Sequence, residues 1–277
     1  MRIIVSHETV YRYAVPAGSV TQILRMTPRS HDGQHVVRWR IDLDRDVRLS
    51  DSEDAFGNVT HAFHVTGPVD SIAIRVQGEV ETQDRAGVVR DSIERFPPSL
   101  FLRDTTLTRP NPAITDWVAG ENLAETTDLA FCHAIMERLH DRIEPAPLTD
   151  PIVGAAETFA TKRGRAADLA HLFIACALVR RIPARFVAGH LCSTDGPSPP
   201  GHGWAEAHIS GLGWVGFDAS INLCPTDAHV RVAMGLDHLG AAPIRGARFG
   251  GDGEFLDMRT EVRELFSDRQ AQRQSQG

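Results

Sequence analysis

The sequence predicts an α+β protein, with an N-terminal antiparallel β-sandwich-like domain followed by a core of helices packed on an antiparallel sheet. Residues 3–83 hold short runs of β-branched and aromatic residues separated by turn residues, a pattern typical of antiparallel strands. Residues 127–181 then carry apolar side chains at helical spacing. After Pro183 the apolar period returns to two, which predicts a second set of strands.

Length and composition agree with an ordinary globular protein of about two domains. The chain has 277 residues, of which 42% are apolar and 23% are charged. A stretch with several prolines and few periodic runs separates the two predicted domains, and the end of the chain is polar. The predicted division is a β-rich domain over 1–85, a linker over 86–122, a core over 123–266 and a disordered tail over 267–277.

Charge and hydropathy argue against several classes of partner. The net charge of −7, with acids and bases interleaved, argues against binding to nucleic acid or to a membrane surface. The sequence has neither an apolar run of about 18 residues, long enough to span a bilayer, nor the apolar stretch of a signal peptide. Four cysteines show no close pair and no metal-type spacing, so we expect reduced thiols and a cytoplasmic location. They are Cys132, Cys176, Cys192 and Cys224.

The predicted N-terminal strands lie between turn signals such as those at 16–18 and 67–68. Apolar and polar residues alternate over 37–43, which indicates a strand with one buried face. The predicted strands are 3–5, 10–13, 36–43, 59–65 and 72–76.

Three helices follow. Asp150 as the cap and Pro151 at the first helical position predict the start of the second helix. The third helix must end before Pro183, because the residue ahead of a proline is driven out of the α region. The first helix begins at Thr127 or Asp128, the second ends near Gly164, and the third covers 165–181.

The strands after the third helix place two polar residues at one end of a hairpin. A tight turn after residue 209 joins two adjacent strands into a hairpin. His202 comes just before the first strand and Asp218 directly after the second, so both lie at the same end of the hairpin. Residues 193–203 form a loop rich in Pro, Gly and Ser. The predicted strands are 184–191, 204–209, 214–217, 230–234 and 255–265.

A helix start followed by a His strand and an Asp strand is the layout of a Cys-His-Asp thiol catalyst. Taken alone, His202 reads as a loop histidine and Asp218 as a turn-capping residue, but their joint placement after a capped helix favours a site. Asp168 and His171 are expected to cap the helix and to pack behind this site. The spacing of the histidines and acids matches no recognised metal site, so neither a metal nor a cofactor is expected.

Three motifs stand in order along the chain: Gly-Arg-Ala-Ala-Asp-Leu-Ala-His at 164–171, His-Gly-Trp-Ala-Glu at 202–206 and Gly-Trp-Val-Gly-Phe-Asp at 213–218. They resemble motifs of the transglutaminase-like superfamily, in particular its bacterial branch with a β-rich N-terminal domain. The family motif Gly-Val-Cys-Arg-Asp-Phe-Ala-His corresponds to Gly-Arg-Ala-Ala-Asp-Leu-Ala-His at 164–171. His-Ala-Trp-Ala-Glu corresponds to His-Gly-Trp-Ala-Glu at 202–206, and Gly-Trp-Val-Gly-Phe-Asp stands unaltered at 213–218. Weaker resemblances lie at 7–13, 24–29, 54–58, 227–232 and 243–246.

This resemblance implies a papain-like transglutaminase core with position 166 as the nucleophile, His202 as general base and acid, and Asp218 as the orienting carboxylate. A thiol at position 166 would form a thioester with a carboxamide or peptide carbonyl. N–H groups at the helix start would stabilise the oxyanion. Water or an amine would then resolve the acyl-enzyme, giving hydrolysis or transamidation. The implied partner is a peptide or protein substrate with a carboxamide or amide bond.

The residue at position 166 is alanine, which has no atom able to attack an amide, so the chain as given is expected to be inactive. Three explanations remain open. Ala166 is a deliberate replacement of cysteine, or the chain is a natural non-catalytic member that binds a peptide or protein partner in the same cleft. In the third explanation the nucleophile has moved to Cys176, Cys192 or Cys224. Ala219 and Ser220 are lesser departures from the family pattern.

Overall fold

The computed structural model describes residues 1–120, 126–193 and 199–265. The predicted tail over 267–277 and the middle of the loop predicted at 193–203 lie outside these residues. Within the described part of the chain, every helix is too short or too polar to cross a membrane.

Strands and helices follow one another in a β-rich, then mixed, then β-rich order. The strands are β1 Arg2–Thr27, β2 Gln34–Leu43, β3 Ser50–Glu53, β4 Val59–Thr82, β5 Val88–Val89, β6 Glu144–Pro145, β7 Arg163–Gly164, β8 Ala184–Leu191, β9 His202–Ile209, β10 Gly213–Phe217, β11 His229–Gly235, β12 Ile244–Phe249 and β13 Asp252–Glu264. The helices are α1 Pro112–Gly120, α2 Asp128–Arg142, α3 Ala155–Thr161, α4 Ala166–Val179 and α5 His238–Ala241, with a 3-10 helix at Pro98–Leu102.

Two long strands, β1 and β4, form the centre of the N-terminal sheet. The prediction of turns at 16–18 and 67–68 was wrong, because both strands continue through these residues. The ladder is irregular there, and Ala17 pairs with Val69 and Ser19 with Thr66. A proline has no N–H to donate, so the prolines of both segments fit where the regular hydrogen bonding of the ladder is interrupted.

The end of the chain returns to this sheet. β13 pairs with β1 from Ile3 to Val15, and β12 pairs with β1 from Ser19 to Leu24. The division predicted from the sequence placed both strands in the core over 123–266, whereas their hydrogen bonds complete the N-terminal sheet. Alternation along a strand shows which face is buried but does not show which distant strand is its partner.

The six strands of the N-terminal sheet form one hydrogen-bonded unit, in the order β12-β1-β4-β2, with β13 on β1 and β3 on β4. A buried cluster that includes Tyr13 and Val20 of β1 and Phe63 and Ile74 of β4 packs along these strands. Antiparallel pairing in this region is confirmed. Two separate packed sheets, as in a sandwich, stay a prediction.

The core is a five-stranded antiparallel sheet in the order β11-β8-β9-β10-β5, with helices packed against it. Helix α4 is buried from Ala167 to Ala177, which explains its almost continuous apolar sequence. The predictions for α4 and for α2, which Thr127 caps, are confirmed. The predicted start of the second helix at Asp150 was wrong, since α3 begins at Ala155 and tertiary hydrogen bonds hold the preceding residues.

The N-terminal sheet and the core share one hydrophobic cluster. Ile3, Val5 and Val80 of the sheet belong to the same buried cluster as Leu172 and Phe173 of α4. Strands β1 and β4 contact β11, which places the N-terminal sheet against the edge of the core sheet.

Candidate functional site

Helix α4 places Ala166 at its first position, in the wall of a cavity. The N–H of Arg165 donates to Oδ2 of Asp168 over 2.7 Å, so the carboxylate of the third helical residue caps the helix. Ala166 and Ala167 follow the cap, where N–H groups have no carbonyl partner within a helix. These groups and the helix dipole make this end favourable for negative charge.

The structure brings His202 and Asp218 together. Nε2 of His202 hydrogen-bonds Oδ2 of Asp218, and both side chains are buried. Burial alone raises the pKa of Asp218, but the charge of His202 and hydrogen bonds from its neighbours hold that pKa well below its usual range. Asp218 is therefore an ionised acceptor. Nε2 of His202 carries the donated proton, which leaves Nδ1 able to accept one.

Two further residues hold the carboxylate of Asp218. Ser220 donates from its backbone N over 3.0 Å and from Oγ over 2.6 Å, both to Oδ1. Nε2 of His229 lies 3.3 Å from Oδ2. Both carboxylate oxygens are thus hydrogen-bonded, which fixes the orientation of the group facing His202.

His229 was missed as a site residue by the sequence analysis, and the signal that would have found it lies in the sheet topology. Strand β8 pairs with β9 on one side and with β11 on the other. Gly189 is opposite His202, and Leu191 is opposite His229. The first residues of β9 and β11 therefore lie at the same end of the sheet.

His202, Asp218 and His229 form a group whose ligand atoms lie within 4.8 Å of one another, close enough to hold a metal ion. The N–H of Thr226 donates to Nδ1 of His229 over 3.1 Å, so the proton of the neutral ring is on Nε2. A metal ligand must instead offer a lone pair from that nitrogen. As bonded, the three residues form a hydrogen-bond network, and the predicted absence of a metal stays a prediction.

Asp168 caps the helix, as the sequence indicated, whereas His171 makes no capping bond to α4 within the described part of the chain and instead bonds neighbouring segments. Oδ1 of Asp168 accepts the N–H of Val153 over 2.8 Å. Nδ1 of His171 donates to the carbonyl of Val153 over 2.9 Å, and its Nε2 accepts the N–H of His238 over 3.0 Å. Both side chains are fully buried. Together they fix the segment before α3 against the start of α4.

A cavity of about 340 Å³ is lined by both Ala166 and His202. Ala166 from α4 and His202 from β9 line one part of it, and His7 and Tyr11 from β1 and Met258 from β13 line another. The site therefore lies between the core and the N-terminal sheet, and both supply its walls.

The cysteines lie elsewhere. Among the described residues, those lining the cavity include no cysteine. Burial raises the pKa values of Cys176 and Cys192, and it raises that of Cys224 to about 11. Since the thiolate is the reactive form, these environments are unsuited to a relocated nucleophile.

A second buried carboxylate belongs to the His-Gly-Trp-Ala-Glu motif. Glu206 on β9 accepts hydrogen bonds from Arg185 over 2.6 Å and from Arg231 over 2.7 Å. Burial raises its pKa, but the two guanidinium charges outweigh burial and lower the pKa to about 2. Arg185 also lies over the ring of Trp214, 3.8 Å from its centroid. This cluster joins β8, β9 and β11.

The fold and the site define a protein in which a helix starts beside an antiparallel sheet that carries a buried His–Asp pair. The family model described as the bacterial transglutaminase-like N-terminal region matches residues 3–81, and the model described as the transglutaminase-like superfamily core matches residues 117–219. The two matches together span more than half of the chain. The chain belongs to the transglutaminase-like superfamily, so the resemblance inferred from its motifs is confirmed.

Known relatives match along nearly the whole length. An uncharacterized protein of Mycobacterium leprae is 26% identical over 95% of this chain and 99% of its own length. One from Mycobacterium tuberculosis is 25% identical over 93% of this chain and 91% of its own length. The crystal structure of a candidate cysteine protease from Cytophaga hutchinsonii superposes with a TM-score of 0.78 at 20% identity, covering 97% of this chain and 92% of that one. This last likeness shows the fold.

Proposed function

We propose that the cavity is an acyl-transfer site of the Cys-His-Asp kind in which position 166 is the place of the nucleophile. His202 would take the proton of the attacking group and return it to the leaving group, and Asp218 would orient the imidazole. The observation that carries the proposal is that His202, hydrogen-bonded to the buried Asp218, lines the same cavity as the first residue of α4. A peptide or protein with a carboxamide or amide bond is the proposed substrate.

The direction of the hydrogen bonds supports these roles. Asp218 holds Nε2 of His202, so Nδ1 is the nitrogen that can exchange a proton with a reacting group. The N–H groups at the start of α4 would stabilise an oxyanion that forms beside position 166. A tetrahedral intermediate would collapse to a thioester and a free amine, and water or a second amine would release the acyl group.

Ala166 limits the chain as it stands to binding. A methyl group can neither attack a carbonyl nor hold an acyl group, and the other members of such a unit give little covalent catalysis without the nucleophile. We therefore propose that this chain holds a peptide or protein in the cavity without turnover. Its location in the cytoplasm stays a prediction, with four free cysteines in its support.

The experiment is the substitution Ala166→Cys, followed by alkylation with iodoacetamide across pH 5–9. A thiol at this helix start and beside His202 is expected to ionise well below the ordinary pKa of about 8.5 and to react readily near pH 6. Amine incorporation and peptide hydrolysis would then appear in the same variant. Ala167→Cys, one residue further along the helix and in the same cavity wall, is the matched control.

The two explanations of Ala166 give different outcomes. If the restored thiol reacts and transfers acyl groups, and His202→Ala in the same background removes both effects, the site retains acyl-transfer machinery. If a folded Ala166→Cys variant shows ordinary thiol reactivity and neither activity, the cleft is a binding site and the acyl-transfer proposal is wrong.

A further inference from the structure

The cavity has an apolar wall that extends to an apolar mouth. Phe186 and Ile152 line it from the core, and Leu148, Leu256 and Met258 also line it. The last three are 53%, 50% and 46% exposed, so they reach from the cavity to the surface. Exposed apolar side chains grouped around a cavity are typical of a ligand-binding surface.

The same wall carries little charge. Among the described residues that line the cavity there is no Asp, Glu or Lys, and Arg165 is the only permanently charged side chain. Burial lowers the pKa values of His7 and His238 to about 4, so both rings are neutral near pH 7. Burial also raises the pKa of Tyr11 to about 12, which keeps its phenol neutral.

These features disfavour a cationic ligand in particular. A lysine or arginine side chain would lose its hydration without finding a carboxylate among the described wall residues, and it would meet the charge of Arg165. An uncharged aliphatic or aromatic side chain would instead cover the exposed surfaces of Leu148, Leu256 and Met258.

We propose that the cavity selects a peptide segment whose side chain beside the reacting amide is bulky, apolar and uncharged. The inference rests on the proposed function for the position of the amide, next to Ala166 and His202. The selecting wall comes from the N-terminal sheet, through Leu256 and Met258 of β13, and from residues before α3, so the substrate preference does not come from the core alone.

The test uses the chain with Ala166, which binds without chemistry. Three peptides, acetyl-Xaa-Gln-Gly-amide with Leu, Glu or Lys at Xaa, are titrated by calorimetry. Burial of one leucine side chain predicts that the Leu peptide binds about tenfold or more tightly than the Lys peptide. Leu256→Asp is expected to weaken binding of the Leu peptide and to strengthen binding of the Lys peptide, since it places an acid at the mouth.

Phe249→Asp is the matched control, because Phe249 lies on β12, is 78% exposed and is not among the described residues that line the cavity. It should change neither affinity. Thermal unfolding checks each variant, and Leu256→Ala replaces Leu256→Asp if the latter does not fold. Equal binding of the three peptides, no binding of any, a preference for the Glu peptide, or an equal effect of Phe249→Asp would overturn the inference.

Failure of the inference differs from failure of the proposed function. Tighter binding of the Leu peptide together with an unreactive thiol in Ala166→Cys would refute acyl transfer and support the apolar preference. A reactive thiol in Ala166→Cys together with equal binding of the three peptides would support acyl transfer and refute the apolar preference.

Discussion

Two buried carboxylates in the core sheet show how similar burial serves two different purposes. Glu206 and Asp218 both lie at or below 1% exposure, and each accepts hydrogen bonds from two basic side chains. The partners of Glu206 are arginines, which remain charged at any pH a folded protein meets. The partners of Asp218 are histidines, whose rings have one nitrogen that can donate and one that can accept a proton.

This difference between arginine and histidine partners indicates which of the two buried clusters can take part in proton transfer. The Glu206 cluster stays fully charged near neutral pH, and its geometry ties β8, β9 and β11 together. The Asp218 cluster is beside the cavity through His202, and its hydrogen bonds leave one ring nitrogen able to accept a proton. Three predictions test this contrast.

The largest effect is expected from Asp218→Asn in the Ala166→Cys background. An amide can present its NH₂ to Nε2 of His202 and so favour the wrong tautomer, and such a change lowers the rate by about 10⁴-fold in a comparable triad. The measurement is acyl transfer from a Gln-containing peptide to an amine. The Ala166→Cys parent is the reference, and a loss of less than tenfold would mean that Asp218 does not orient His202.

Glu206→Ala is expected to affect stability instead of site chemistry. It leaves Arg185, which has no exposed side-chain surface, without the acceptor of its Nε, and breaking a buried pair in this way costs about 3–5 kcal/mol. Urea unfolding measures the loss. Glu94 still accepts from Arg185 and limits the effect, and a cost below about 1 kcal/mol would contradict a structural role.

The smallest effect concerns pH. The folded-state pKa of Glu206, about 2, lies below its unfolded value, so its stabilisation is present above pH 4.5 and is lost as the pH falls towards 2. His190 differs, because burial lowers its pKa from 6.5 to about 3. Its neutral form stabilises the fold above pH 6.5, and that contribution is lost as the pH falls from 6.5 towards 3.

His190→Leu should therefore reduce the loss of unfolding free energy between pH 7 and pH 5 by about 1–2 kcal/mol, while Glu206→Ala should leave that interval unchanged. Unfolding in urea at each pH gives the two slopes. The assignment of the upper interval to buried histidines is wrong if the His190→Leu profile parallels that of the parent chain.

Much of the site was predictable because its residues follow local signals. Capping and apolar spacing located α4 within two residues, and period-two alternation located β8, β9 and β10, so His202 and Asp218 could be placed at one sheet end. His229 could not, because its position depends on the pairing of β11 with β8. The role of Glu206 was missed for the same reason, since its partners come from two other strands.

The N-terminal region was less predictable. Its strands were found, but the turn residues at 16–18 and 67–68 mark an irregular part of one long pair and not chain reversals. The return of β12 and β13 to β1 depends on contacts between distant parts of the sequence, which local patterns do not encode. The sequence alone therefore could not predict that the apolar residues of β13 line the same cavity as Ala166 at the start of α4.

The pairing of β1 with β12 and β13 also has a consequence for biosynthesis. Strand β1 leaves the ribosome well before β12 and β13, because the residues between them must be translated first. During that interval one edge of β1 is open, and a chaperone or a neighbouring nascent chain could bind it. The cavity, which β13 helps to line, is thus completed late in the synthesis of each molecule.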